Sequence, residues 1–210
     1  MGLKHSYTVF APIYDLFVSG VFDSLRTTSL KELQRLQHPA PTKGKVLLSG
    51  VGTGLDLPFL PPEHDYIGID VTPAMLKKAR ARSEHLNIAL QTGDAMQLPF
   101  EDNSFDAVVM HLILAVVPNP VLALQESQRV LKAGGYVLIL DKFLRPGEAA
   151  PLRRLINPVI KRLATQTNVI FEDVLAHSAQ LNVVDDVPVA ANGWFRRIVL
   201  QKTNDANPAP

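Results

Sequence analysis

Val46-Leu-Leu-Ser-Gly50-Val-Gly52-Thr-Gly54 is the stretch on which the reading of this chain turns. Its first half is a short apolar run without polar alternation, the pattern of a parallel strand covered on both faces. Its second half is a glycine cluster, where the missing Cβ lets the backbone turn tightly and lets a ligand come close. The spacing is Gly-x-Gly-x-Gly. A dinucleotide fingerprint needs Gly-x-Gly-x-x-Gly, but position 55 is Leu55, and the lysine of a triphosphate-binding loop is absent. Taken alone, these glycines describe a structural strand-to-helix turn equally well.

Working outward, Tyr66–Asp70 reads as a second strand. Thr72 then stands at a helix N-cap, with Pro73 in the first turn and good helix formers through Arg82. Asn87–Gln91 and Phe105–Met110 read as the third and fourth strands. A helix over Pro120–Leu131, stopped by Ala133-Gly-Gly135, precedes a fifth strand, Tyr136–Leu140. Strands alternating with helices at this spacing imply a parallel sheet with right-handed crossovers. The chain then changes character: a helix over Glu172–Leu181 is followed by two further strands, Asn182–Val189 and Trp194–Lys202, which suit an antiparallel pair. The expected fold is α/β, a doubly wound, mostly parallel seven-stranded sheet. Residues 1–36 form an N-terminal helical cover and 37–202 the main domain, with an amphipathic insert at 145–168; 203–210 is a loose tail.

Composition narrows the function. The 210 residues carry a net charge of +1, so no global basic field invites nucleic acid. The absence of cysteine excludes disulfides, thiolate zinc sites and a cysteine nucleophile, and no metal site is expected. The longest apolar run, 107–118, is interrupted by His111 and is too short to span a bilayer. The N-terminus lacks an apolar signal core, so a cytoplasmic protein is expected.

Three aspartates stand at strand ends. Asp70 closes the second strand, where a carboxylate can accept from both hydroxyls of a ribose. Gly93-Asp94-Ala95-Met96 follows the third, and there Asp94 can accept from an adenine amine beside backbone N–H groups. Asp106 opens the fourth strand. Open α/β sheets bind ligands at the carboxyl ends of their strands, which is where Asp70 and Asp94 fall.

Across about Lys45 to Leu140 the pattern resembles class I S-adenosylmethionine (SAM)-dependent methyltransferases. Asp70-Val-Thr-Pro-Ala-Met-Leu-Lys-Lys-Ala79 is similar to the family's segment after the ribose aspartate, Asp94-Ala-Met-Gln-Leu-Pro-Phe to its adenine-binding segment, and Val130-Leu-Lys-Ala-Gly-Gly135 to the turn before its fifth strand. The resemblance implies SAM as cofactor, held by Gly50, Gly52, Gly54, Asp70, Val71, Asp94, Ala95 and Met96. One departure stands out. Two positions before the first glycine the family usually carries an acid that organises the methionine end of the cofactor; here that residue is Leu48.

For the methyl acceptor, three segments speak. Phe10-Ala-Pro-Ile-Tyr14-Asp15 resembles the N-terminal segment of methyltransferases acting on lipid amines and quinone rings, which implies an active-site role for Tyr14, against core packing. Met110-His111-Leu-Ile-Leu-Ala-Val-Val-Pro-Asn-Pro120 resembles the loop of bacterial phosphatidylethanolamine N-methyltransferases, which puts His111 where an acceptor would lie, against a packed histidine. Finally, Leu152, Leu155, Ile156, Val159, Ile160 and Leu163 share one helical face flanked by Arg153, Arg154, Lys161 and Arg162. Such a stripe suits either a lid or the surface of an anionic membrane. The expectation is methylation of a lipid or other apolar acceptor, with phosphatidylethanolamine first and peripheral contact at the inner membrane face. Tyr14 or Trp194 could hold the methylated cation. C- or O-methylation of a quinone precursor, and a non-catalytic SAM-binding module, are the alternatives.

Overall fold

The computed structural model describes residues 22–34, 43–144, 169–190 and 193–203. Seven strands form one sheet: β1 (Lys45–Ser49), β2 (Asp65–Asp70), β3 (Asn87–Thr92), β4 (Phe105–His111), β5 (Leu131–Lys142), β6 (Leu181–Ala190) and β7 (Phe195–Lys202), in the order β3-β2-β1-β4-β5-β7-β6. The first five pair in parallel, while β7 lies antiparallel to both β5 and β6. The helices are α1 over residues 22–34, α2 (Pro73–Arg80), α3 (Pro120–Val130) and α4 (Phe171–Leu175). This is the doubly wound, mostly parallel sheet expected from the alternation of apolar runs.

The central strands have side chains of both faces in apolar cores. On one face, Leu47, Ile69, Val108 and Met110 pack with Ala123 and Leu124 of α3 and Phe171 and Val174 of α4. On the other, Val46, Leu48, Tyr66 and Val109 pack with Leu30 and Leu33 of α1 and Leu76 and Ala79 of α2. A strand buried on both faces reads as an unbroken apolar run, which is why β1 and β4 are legible by eye. Edge strand β3 instead alternates between half-buried and exposed residues.

Three local expectations need correction. Thr72 is the N-cap residue of α2, but its hydroxyl makes no capping bond; its own amide donates to Asp70 Oδ1 instead (2.8 Å). The helix expected over Glu172–Leu181 is only Phe171–Leu175, because Leu181 is buried and already paired with Lys202 at the start of β6. The glycines after α3 lie inside β5 rather than before it: Gly134 takes φ 77°, and a Cβ on Gly135 would stand 2.8 Å from the carbonyl oxygen of Asp106. Tyr14, the insert at 145–168 and the tail from 204 lie outside the described residues. Among those described, no helix is long and apolar enough to cross a membrane.

Candidate active site

The carboxyl ends of β1, β2 and β3 are stitched together through their backbones. The amides of Gly50 and Val51 both donate to the carbonyl of Ile69 (3.0 and 2.8 Å), and the amide of Gly93 donates to that of Asp70 (3.2 Å). The glycine turn, Asp70 and the Gly93–Met96 segment therefore meet in one crevice. Gly50, Gly52 and Gly54 all adopt positive φ (78°, 55° and 79°), a region that side chains with a Cβ enter only at a cost.

Their surroundings differ. A Cβ on Gly50 would meet Ile113 Cδ1 at 2.5 Å, and one on Gly54 would meet the backbone of Ala79 at 2.9 Å. A Cβ on Gly52 would meet nothing within 4 Å. Gly50 and Gly54 are thus required by packing, and Gly52 presents bare backbone to open space. The Gly52 amide donates to Asp70 Oδ2 (3.0 Å). Burial pushes the Asp70 carboxyl up from its ordinary range, and the bonds from Thr72 and Gly52 only partly pull it back. Each carboxylate oxygen accepts one amide and keeps lone-pair capacity for a diol. Beside it, Val71 is 41% exposed, an apolar surface suited to the flat side of a base.

Asp94 folds its own turn: the amide of Met96 donates to its Oδ1 (2.8 Å), and that of Gln97 to its carbonyl (3.0 Å). Ala95 is buried beneath. The segment that follows is clamped from α3. Glu126 accepts from the Leu98 amide (2.7 Å), and Arg129 donates to the carbonyls of Leu98 (3.0 Å) and Phe100 (2.8 Å). The crevice therefore combines a bare-backbone cradle, a carboxylate for a diol and an apolar shelf, which fits an adenosyl group.

His111 closes β4 and is buried. Its Nδ1 lies 3.1 Å from Asp56 Oδ1 and its Nε2 3.0 Å from Ser29 Oγ. A carboxylate only accepts, so the neutral ring carries its proton on Nδ1, and the Ser29 hydroxyl donates to Nε2. Arg26 Nε also approaches Asp56 Oδ1 (3.1 Å). Burial alone would raise the Asp56 carboxyl, but the charges and hydrogen bonds of His111 and Arg26 outweigh it and hold the group below the usual carboxylate range. Directly after His111, Leu112 takes φ 54°, a strained value for a residue with a Cβ. The loop beyond is held by Asp141, which accepts from the amides of Ala115 (3.0 Å) and Lys142 (2.8 Å). The sequence did not single out Asp56, Arg26, Ser29 or Asp141; the one local signal was an acid two residues past the glycine turn. Trp194 lies at the same, carboxyl end of the sheet, its carbonyl accepting from the Phe143 amide beyond β5 (3.0 Å).

Residues 47–139 match the family model for a methyltransferase domain. Over 205 residues, 95% of this chain and 97% of the other, the protein is 32% identical to a phosphatidylethanolamine N-methyltransferase of Cereibacter sphaeroides. The chain belongs to the SAM-dependent methyltransferases. A demethylmenaquinone methyltransferase of Staphylococcus carnosus is 43% identical to it, but over 81 residues only, 38% of this chain and 34% of that one. In fold, the methyltransferase superposes on the crystal structure of a Thermotoga maritima SAM-dependent methyltransferase with a TM-score of 0.68, at 22% identity, covering 96% of this chain and 100% of that one. Its cofactor is SAM and its activity methyl transfer.

Proposed function

We propose that this methyltransferase acts on the amine of phosphatidylethanolamine, drawn from a membrane surface. The observation that carries this reading is the reach of the likeness. Similarity to a phosphatidylethanolamine N-methyltransferase runs over 95% of the chain, whereas that to the demethylmenaquinone enzyme covers 38%. Acceptor-binding segments vary between methyltransferases more than the shared cofactor crevice, so likeness along the whole chain is the better guide to the acceptor.

The cofactor supplies an electrophilic methyl group on a sulfonium; the protein supplies position and proton traffic. Gly50, Gly52 and Gly54 form the cradle, Asp70 takes the ribose hydroxyls, and Val71, Asp94, Ala95 and Met96 surround the adenine. An ammonium cannot attack, so the acceptor must first lose a proton. His111 receives it at Nε2 once the Ser29 hydroxyl turns to another acceptor; a helical serine has the carbonyl one turn back within reach. The likeness of Phe10–Asp15 to lipid-amine and quinone methyltransferases is what assigns Tyr14 to the acceptor. Each transfer forms a nitrogen–carbon bond and breaks a sulfur–carbon bond, leaving a neutral thioether.

Incubation with methyl-labelled SAM and phosphatidylethanolamine vesicles should label the lipid, and vesicles of phosphatidylcholine alone should stay unlabelled. Label entering a demethylated quinone and not the lipid would transfer the assignment to ring methylation. His111→Ala then separates the chemistries further: an amine, which without His111 can still shed its proton to water, should lose turnover modestly, while a phenol deprived of its base loses about two to four orders of magnitude.

A further inference from the structure

The methionine end of SAM carries an ammonium group, and Leu48, 3% exposed inside the core beneath the glycine turn, offers it nothing. Leu48 is paired with Val109, so two residues further along each strand Gly50 stands level with His111. The side chain of Ile113 fills the space where Gly50 lacks a Cβ. The end of the crevice away from Asp70 therefore lies between the first glycine and the tip of β4, and Asp56 reaches that end through its contact with His111. We propose that Asp56 is a cofactor-binding residue, supplying from beyond the glycine turn the carboxylate that faces the cofactor's α-ammonium.

Other carboxylates nearby are committed. Asp70 is bonded to Gly52 and Thr72, Asp94 to its own turn, and Asp141, 1% exposed, to the amides of Ala115 and Lys142. Asp56 differs in two ways. The closest contacts of both Arg26 and His111 fall on Oδ1, and the side chain retains 17% exposure. Arg26 is also shared with Asp23, at 3.4 Å, so two carboxylates face one guanidinium. The depressed carboxyl of Asp56 keeps it ionised throughout the working pH range.

The test uses binding alone, so it is independent of the lipid acceptor. Affinities are measured by calorimetry for S-adenosylhomocysteine and for its analogue with hydrogen in place of the α-amino group. Asp56→Asn should weaken the amino ligand about 10- to 100-fold and leave the deamino analogue within about threefold, since a hydrogen bond between charged groups is lost in one case only. Asp56→Glu should recover part of the loss. Asp70→Asn should weaken both ligands alike, because both carry the ribose. Equal losses on the two ligands in Asp56→Asn, or no loss on either, would overturn the assignment. Should Asp56→Asn not fold, Arg26→Gln serves instead. Removing the competing cation should raise the preference for the amino ligand at least about threefold, and an unchanged or reduced preference would refute the proposal.

Discussion

At Gly52 and Gly54 one residue type answers two different demands. Both backbones are left-handed, but only Gly54 is pressed against another helix. Gly52→Ala should cost about 1–2 kcal/mol of stability from its φ alone, yet lower SAM affinity by more than about tenfold, since the new methyl enters the crevice. Gly54→Ala carries the same φ penalty and a clash with the Ala79 backbone, so its denaturation midpoint should fall further, by roughly another 1–3 kcal/mol. Denaturant melts and cofactor titrations on both variants check this; unaltered binding in Gly52→Ala would mean the cofactor avoids that backbone. The glycines and Asp70 could be read from the sequence because turn and strand-end chemistry is local. The association of Arg26, Ser29 and Asp56 with His111 could not, since those partners lie 85, 82 and 55 positions away and touch only after the sheet is assembled. The Thr72 hydroxyl misled for a related reason: a threonine at an N-cap normally bonds its own helix, but here the hydroxyl is engaged by the Asp70 carboxylate.

Among the elements, the loop after β4 is tied to β5 by a buried carboxyl, that of Asp141. Burial raises Asp141 from 3.8 to about 6. A carboxyl raised in the folded state contributes its full stability below the unfolded value, and that contribution is lost as pH rises through the folded one. The stability of the wild type minus that of Asp141→Asn should therefore shrink by about 2 kcal/mol between pH 4 and pH 7, since part of the loss from a shift of about two pH units already falls below pH 4. Urea melts across that range measure it, and a pH-independent difference would show that Asp141 ionises as freely as in water. Strands β1, β2 and β4 were legible because apolar runs with turn signals leave few alternatives. Helix α4 was not, because the apolar residues between Phe171 and Leu181 fit a helix as well as a short helix feeding a strand, and only pairing with β7 decides.

For the whole molecule, near-neutral overall charge means that any attraction to anionic lipid must be local. The sequence offers Arg153, Arg154, Lys161 and Arg162 for it. If the proposed membrane contact holds, the double change Arg153→Gln with Arg154→Gln should reduce sedimentation with phosphatidylglycerol vesicles severalfold at low salt while SAM titrations remain unchanged. Vesicle binding that survives the change would move the contact elsewhere. The strands followed from the sequence almost one by one, whereas the acceptor could not be read the same way, because the segments offered for it carry apolar periodicity but no reacting motif.

The face of α1 that presents Arg26, Ser29 and Glu32 reaches Asp56, His111 and Arg197, on the glycine-side loop, β4 and β7. One helix thus ties the loop after the glycine turn, the tip of β4 and the antiparallel end of the sheet together. Because Leu30 and Leu33 anchor the same helix in the core, melting it would release Asp56, His111 and Arg197 at one stroke, so site and scaffold share a single point of failure.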